Sequence, residues 1–187
     1  MRAVVVYESI YGNTKGIAEG IAEGLRRGDQ AEVEVVPVDW VAARGLEGVD
    51  LLVVGGPTHM HGMTSSMSRK LAVKAAEDEG LEVEPGAAEG LGLRSWLRDQ
   101  AGDGTRAAAF DTRADASPTL TGMAARGIAK RLRRRGFETV SEPESFLVEE
   151  SEGPLAAGEL DRARRWGEVL AAKAGSGVGG QPATTRP

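Results

Sequence analysis

Ala3-Val4-Val5-Val6-Tyr7, followed at once by Glu8-Ser9-Ile10-Tyr11-Gly12-Asn13-Thr14, is the stretch that decides the fold of this 187-residue chain. A short continuous run rich in β-branched residues is typical of a strand that is covered on both faces. After the loop, Ile17, Ile21 and Leu25 recur at helical spacing. The segment therefore predicts a buried parallel strand that leads through a short loop into a helix.

The rest of the chain repeats this alternation of strand and helix. The second strand ends near Pro37, and proline is typical of an edge strand or of a strand end. A long helix is predicted to open at Ser117-Pro118, with Ser117 as its N-cap. The other strands are marked by Val33, Val35 and Val38, by Leu51 to Gly55, by Ala107 to Phe110, and by Phe146 to Val148. The other helical residues are Leu93, Trp96 and Leu97, then Leu120, Met123, Ile128 and Leu132, then Leu160, Ala163, Trp166 and Leu170.

Five strands that alternate with helices predict an α/β fold with a doubly wound, five-stranded parallel sheet of order 2-1-3-4-5 and helices on both faces. We expect one domain over residues 1–174 and a disordered tail over residues 175–187. The acidic stretch 77–89 is interpreted as an exposed insertion. Glycines at every fourth position from 12 to 28 indicate either a close approach of the first helix to the sheet or drift in an Ala- and Gly-rich sequence.

The composition excludes several classes of function. The chain has no cysteine and two histidines, which leaves no disulfide, iron-sulfur cluster, thiolate catalysis or Cys-type zinc site, and too few ligands for most all-His metal centres. Redox chemistry would therefore need an organic cofactor. A formal net charge of -5 argues against a nucleic-acid partner. No apolar run approaches the roughly 20 residues of a membrane span and no signal-peptide pattern is present, so we expect a cytoplasmic protein without a membrane partner.

Ligands of such a sheet bind where the strand order reverses, here between the first and third strands, where residues 8–14, 56–63 and 111–117 meet. The first of these loops offers hydroxyls and free backbone N–H groups at the start of a helix, where the macrodipole favours an anion. It lacks the Gly-Lys-Ser/Thr ending of a P-loop, and G-x-G-x-x-G is absent from the chain. The pattern favours a phosphate cradle over an ordinary turn between strand and helix.

Ser-x-Tyr-Gly-Asn-Thr after a first strand resembles the phosphate loop of flavodoxin-like FMN-binding domains. The resemblance covers residues 1 to about 174 and implies FMN as the cofactor. It implies that the FMN phosphate is held by Ser9, Ile10, Tyr11, Gly12, Asn13 and Thr14. It also implies flavin contacts from the second loop, namely Pro57, Thr58, His59, Met60, His61 and Gly62, and from the end of the fourth strand, namely Phe110, Asp111, Thr112 and Arg113.

Two departures from the family pattern bear on function. Flavodoxins proper usually carry Ser or Thr where this chain has Tyr11, and the Tyr form is more similar to the flavodoxin modules of flavodiiron proteins and of quinone reductases. Typical flavodoxins also sandwich the flavin ring between a Trp in the second loop and a Tyr in the third, and neither is present here. Stacking destabilises the electron-rich reduced ring, so its absence bears on the redox potential.

Alternatives stay open for several side chains. His59 and His61 form an H-x-H pair that could ligate a metal, but no third His or Cys is present to complete the site, which favours flavin-loop residues. A histidine near the flavin could stabilise its reduced form or move a proton, or simply hydrogen-bond within the loop. Phe110 is either a core residue or a flavin contact, and Asp111 and Arg113 either pair with each other or contact the flavin.

The resemblance implies electron transfer to a redox partner protein. The alternative is an NAD(P)H-dependent, FMN-containing oxidoreductase that acts on quinones or other small acceptors, which the Tyr11 form and the missing stacking pair favour. The basic run Lys130 to Arg135 is predicted to be a solvated helix end, where cations favour the helix dipole, and not a nucleic-acid patch.

Overall fold

The computed structural model describes residues 1–29, 31–59, 62–117, 122–150 and 152–176. Its strands are β1 (Arg2–Tyr7), β2 (Glu32–Pro37), β3 (Leu51–His59), β4 (Gly62–Met63), β5 (Arg106–Ala114), β6 (Glu138–Thr139) and β7 (Glu144–Val148). Its helices are α1 (Asn13–Asp29), α2 (Val38–Arg44), α3 (Ser66–Glu79), α4 (Leu93–Trp96), α5 (Ala124–Arg134) and α6 (Glu159–Gly175). Met60, His61 and the tail beyond Ser176 lie outside the described residues.

The main sheet is parallel, and its order confirms the predicted doubly wound topology. β1 lies between β2 and β3, and β5 lies beside β3. The fifth position is shared by β6 and β7, which both pair with β5 in parallel. Arg106 pairs with Glu138, and Phe110 pairs with Glu144. The chain from β6 to β7 therefore contains two more residues than the stretch of β5 that it pairs with. Pro143 lies in this break, where its missing N–H removes one ladder hydrogen bond.

The strands are apolar on both faces because helices cover both faces. On β1, Val5 packs with α1 and α6, whereas Val4 and Val6 pack with α2, α4 and α5. Trp96 is buried on the face of the sheet that α2, α4 and α5 cover. Trp166 contacts the rings of Phe110 and Phe146 in edge-to-face geometry on the face that α1 and α6 cover. A continuous β-branched run is the sequence mark of this arrangement.

The glycine stripe of α1 packs against α6 and not against the sheet. A Cβ on Gly24 would lie 1.9 Å from the carbonyl oxygen of Arg164, and one on Gly167 would lie 2.2 Å from that of Ile21. Two helix backbones therefore approach each other more closely than any side chain allows. In the second half of the stripe, around Gly24, the glycines allow this contact with α6. Both predicted interpretations, approach to the sheet and compositional drift, are therefore wrong there.

The structure differs from the predicted elements in three places. Helix α3 was not predicted, because only part of one face is buried and Met67 and Leu71 are exposed. Residues 77–89 are not simply an exposed insertion, since they contain the end of α3, and Val83 then packs near Ile10. Met123, predicted to be helical, is extended, and helix α5 begins at Ala124. The predicted opening at Ser117-Pro118 and the helical residue Leu120 involve residues 118–121, which lie outside the described residues.

Candidate functional site

The loop between β1 and α1 presents backbone N–H groups at a helix N-terminus. Gly12 has φ +84°, a conformation that glycine adopts without strain, and its carbonyl accepts the first helical bond from the Gly16 N–H at 2.9 Å. The N–H groups of Tyr11, Asn13 and Thr14 have no acceptor among the described residues. Free N–H groups and the positive end of the α1 dipole make this loop fit a phosphate.

Two buried hydroxyls lie in the same loop. The Ser9 hydroxyl accepts a hydrogen bond from the Gly12 N–H at 3.1 Å, and the Thr14 hydroxyl is 2.7 Å from that of Thr112. The second bond ties the first loop to the end of β5, as expected of loops that meet at one ligand. A hydroxyl offers one donor and two acceptor positions, so these bonds leave Ser9 and Thr14 able to donate or accept one more.

Segments from elsewhere in the chain hold the loop in place. The Tyr11 hydroxyl donates to the Ala72 carbonyl at 3.3 Å, and the Asn13 amide donates to the Glu152 carbonyl at 3.0 Å. Ile10 is buried beside α3, and its carbonyl accepts from the Glu84 N–H at 2.8 Å. The side chains of Tyr11 and Asn13 therefore face protein, and these residues offer their backbone N–H groups to a ligand.

A carboxylate lies beside the phosphate loop. Glu84 is 3.3 Å from the Lys15 ammonium, and its Oε1 is 3.6 Å from the position a Cβ would take on Gly12. The hydrogen bond from Lys15 to Glu84, together with their charges, raises the pKa of Lys15. Lys15 thus stays protonated and offsets one of the negative charges that meet at this loop.

The second loop is a hairpin at the end of β3. Thr58 pairs with Met63, and His59 pairs with Gly62. Pro57, Thr58 and His59 are half-buried, and a Cβ on Gly62 would meet open space. The hairpin tip, formed by Met60 and His61, falls outside the described residues, so the predicted flavin contacts of these two residues stay predictions.

Thr58 and Asp111 join the second and third loops to the start of α5. One oxygen of Asp111 accepts from the Thr58 hydroxyl at 2.8 Å and from the Ala125 N–H at 2.8 Å. Thr58 in turn accepts from the Ala124 N–H at 2.8 Å. Two side chains distant in sequence therefore cap α5, whose own N-cap, Met123, has no side-chain hydrogen bond.

Asp111 is fully buried, so its carboxyl is shielded from solvent, unlike a side chain that contacts a ligand at the surface. Burial raises the pKa of its carboxyl, and the hydrogen bonds from the Ala125 N–H and the Thr58 hydroxyl, together with the nearby Ser145 hydroxyl and the charge of Arg113, oppose this rise without cancelling it. Its other oxygen and the Ser145 hydroxyl lie close together but make no hydrogen bond of normal geometry to any described group. The structure does not form the Asp111–Arg113 ion pair that the sequence left open as an alternative.

Two other predicted site residues lie in different surroundings. Phe110 is fully buried, and its ring fills the space over Gly55, where a Cβ would lie 2.1 Å from it. This packing favours the core alternative over a flavin contact. Arg113 donates to the Ala114 carbonyl at 3.2 Å and to the Ala116 carbonyl at 2.6 Å, so it shapes the third loop.

A buried ion pair below the phosphate loop was not predicted. One oxygen of Glu8 accepts from Arg69 at 3.3 Å and from the Leu93 N–H at 2.7 Å, and the other accepts from the Thr64 hydroxyl. Both charged side chains are buried, at 7% and 6% exposure. The pair ties the end of β1 to α3 and α4. A charged residue directly after a buried strand is the sequence signal that could have revealed it.

Comparison with known proteins places this site in a family. The model of the family described as flavodoxin matches residues 5–169. The chain belongs to the flavodoxin family. The cofactor of this family is FMN, and the free N–H groups and hydroxyls of the 9–14 loop fit its phosphate.

Solved flavodoxin structures share the fold. Oxidised Flavodoxin 2 from Bacillus cereus is 21% identical, with a TM-score of 0.67 over 92% of this chain and 99% of that one. A flavodoxin from the domain Archaea is 22% identical, with a TM-score of 0.61 over 94% and 99%. A WrbA-like flavodoxin from Agrobacterium tumefaciens is 21% identical, with a TM-score of 0.57 over 94% and 98%. The comparison with curated protein sequences gives no match.

Within the described ranges, no group of three or more His, Asp or Glu side chains could hold a metal ion. No described helix has the length and the apolar character needed to cross a membrane.

Proposed function

We propose that this flavodoxin-family protein is an FMN-dependent electron carrier whose 9–14 loop holds the FMN phosphate. The observation that carries the proposal is the set of free N–H groups at Tyr11, Asn13 and Thr14, flanked by the hydroxyls of Ser9 and Thr14, at the point where the strand order reverses. FMN supplies a ring that takes up electrons from a reductase and passes them to an acceptor protein. The side chains bind and orient it.

The other two loops are proposed to hold the rest of the cofactor. Pro57, Thr58 and His59 form one wall, with Gly62 leaving open space beside them. Thr112, in the third loop, is buried, and its hydroxyl is hydrogen-bonded to that of Thr14 in the phosphate loop. Because Thr58 is hydrogen-bonded to Asp111 and α5, this wall is held in one position before the cofactor binds.

The redox potential should differ from that of a flavodoxin with stacked aromatic rings. No Trp occurs in residues 56–63 and no Tyr in residues 111–117. An aromatic sandwich disfavours the electron-rich reduced ring. We therefore expect the reduced flavin to be less destabilised here than between two aromatic side chains.

The second candidate is an NAD(P)H-dependent, FMN-containing oxidoreductase of quinones or other small acceptors. Tyr11 in the phosphate loop and the missing stacking pair favour it. The WrbA-like flavodoxin from Agrobacterium tumefaciens shares this fold, and one fold can serve more than one activity. An enzyme of this kind would reduce its acceptor without a second protein.

Absorption spectra separate the proposals from each other and from their failure. The purified protein, with and without added FMN, should show flavin absorption and quench the fluorescence of FMN. Colourless protein that leaves FMN fluorescence unchanged would overturn both. The FMN-loaded protein is then mixed with NADPH and a quinone: turnover without another protein supports the enzyme, and reduction only through a separate flavoprotein reductase supports the carrier.

The phosphate position is tested by the double variant Ser9→Ala, Thr14→Ala. Each hydroxyl bond to a charged phosphate is worth about 1.5 to 3 kcal/mol, so FMN affinity should fall by about 100-fold or more. Thr105→Ala is the matched control, because Thr105 directly precedes β5 and therefore lies at the amino ends of the strands, away from the phosphate loop. Unchanged FMN affinity in a folded double variant would show that the phosphate lies elsewhere.

A further inference from the structure

A groove of about 290 Å³ on the outer face of α4 and α5 is lined almost entirely by arginines. Two of its arginines come from α4 or the two residues after it, and three come from the last turns of α5 and the residue that caps it. Leu97 forms its apolar floor. The arginines that line it are Arg94, Arg98, Arg131, Arg134 and Arg135.

These five charges have no counter-ion among the described residues. Every ion pair in the described ranges involves other cations, so none of the five arginines is directly paired with a described carboxylate. The chain as a whole carries a net charge of -5. The charge of this groove is therefore opposite in sign to the net charge of the protein, which an ordinary mixed-charge surface does not explain.

Part of the groove is held in place by the protein itself. Arg94 donates to the carbonyls of Met63 and Thr64, and Arg131 donates to the Gly127 carbonyl at 3.2 Å. Burial, followed by the charges of Arg94 and Arg134, lowers the pKa of Arg131. Arg94 and Arg134 are therefore close enough to repel Arg131, which is only partly solvated.

The helix dipole accounts for only some of the five arginines. Cations at the C-terminal turn of α5 are stabilised by the negative end of that helix, which covers Arg131 and Arg134. It does not account for Arg94, which comes from the start of α4 and turns toward the same groove. Convergence from two helices requires a different explanation.

We propose that this groove is a second anion site, separate from the phosphate loop, that binds the diphosphate group of a small molecule. Guanidinium groups pair with phosphate oxygens through two parallel hydrogen bonds, which makes arginine the preferred residue for such recognition. Five of them exceed what one phosphate can engage. The volume of about 290 Å³ suits a diphosphate, while a larger ligand would extend into solvent.

The groove lies beside the second loop. Arg94 is bonded to the carbonyls of Met63 and Thr64, which directly follow the hairpin tip. A ligand whose diphosphate is held there would place its remaining atoms near the edge of the proposed flavin site. The inference nonetheless stands on the groove alone and does not depend on FMN binding.

The test is calorimetric titration of the full chain, saturated with FMN so that the phosphate loop is filled, with inorganic pyrophosphate. We expect saturable binding that weakens by about tenfold or more in Arg131→Gln and in Arg98→Gln. Arg98 is exposed, so its variant keeps the fold if Arg131→Gln does not. The control is Arg165→Gln, which removes one equally exposed charge from α6 on the other face of the sheet. Binding that is absent, or equally weakened by the control, overturns the proposal.

Further titrants identify the source of the anion. ADP that binds as tightly as pyrophosphate supports a nucleotide diphosphate, and pyrophosphate that binds alone supports the free anion. Poly-glutamate that binds while pyrophosphate does not would show an acidic protein surface as the occupant and would overturn the small-molecule site. Should FMN fail to bind, the same variants still report on the groove, so the two proposals fail separately.

Discussion

Asp111 offers the sharpest test of how the site is built, because alanine at this position should be strongly destabilising whereas asparagine should not. In Asp111→Asn, the amide oxygen can take over both hydrogen bonds of the native oxygen, from Thr58 and from the Ala125 N–H. Its NH₂ group would point toward the nearby Ser145 hydroxyl and supply the hydrogen bond that the carboxylate lacks. Asp111→Ala removes both bonds and leaves the buried Ala125 N–H and the half-buried Thr58 hydroxyl without this acceptor.

The magnitudes follow from the bonds and from the sign of the pKa shift. Each hydrogen bond to a charged acceptor is worth about 1.5 to 3 kcal/mol, so the alanine variant should lose about 3 kcal/mol or more. Burial raises the folded-state pKa of Asp111 above its ordinary value of 3.8. The folded protein then binds more protons than the unfolded chain between these two values, and the contribution of Asp111 falls as the pH rises through the folded-state pKa. Near neutral pH, the asparagine variant should be within about 1 kcal/mol of the native protein, or more stable.

Urea denaturation from pH 4 to pH 8, with and without excess FMN, measures both effects. The quantity to follow is the free energy of unfolding of Asp111→Asn minus that of the native protein, because the difference cancels the titration of other groups. We expect this difference to increase with pH. An asparagine variant as unstable as the alanine variant, or a difference that decreases with pH, would refute the assignment of Asp111 as a buried cap of α5 with a raised pKa.

Two further predictions concern stability away from the site. Gly24→Ala should cost about 2 kcal/mol in urea denaturation, because its Cβ would lie 1.9 Å from a backbone oxygen of α6 and must push the helices apart. Gly175→Ala, where no atom lies within 4 Å, is the control, and equal effects would argue against close helix packing. Although burial opposes it, hydrogen bonds from Arg162 and the Leu147 N–H lower the pKa of Glu159, so Glu159 adds stability above its unfolded pKa of about 4.5. Glu159→Gln should lose about 1 kcal/mol at pH 7 and nothing once the pH falls below the folded-state pKa, and a loss that persists in acid would contradict this.

The sheet and its covering helices could be predicted because their signals are local. The β-branched runs of β1 and β3 and the helical spacing of Ile17, Ile21 and Leu25 are each visible within a few residues. Pro37 indicated the outer strand β2 correctly. Helix α3 was missed because Ala72 and Val73 bury little surface and the exposed Met67 disturbs the helical pattern.

The candidate site was predicted only in part, because only some of its signals lie close together in the sequence. The loop from Ser9 to Thr14 could be recognised because its glycine, its hydroxyls and the following helix are contiguous in sequence. The role of Thr58 at the start of α5 could not, because the Ala124 N–H that it accepts from is 66 positions away. The groove of Arg94 and Arg131 likewise joins two helices, whereas the sequence showed only a basic helix end.

Sequence alone was sufficient to predict the order of strands and the doubly wound topology, and to propose a phosphate-binding role for the first loop, since hydrophobic period and loop chemistry are properties of neighbouring residues. Only the tertiary structure decided which surfaces meet: α1 against α6 through Gly24, Glu8 against Arg69, and Asp111 against α5. Such pairings depend on backbones and charges brought together over many residues of separation, and their energies exist only once the sheet has formed.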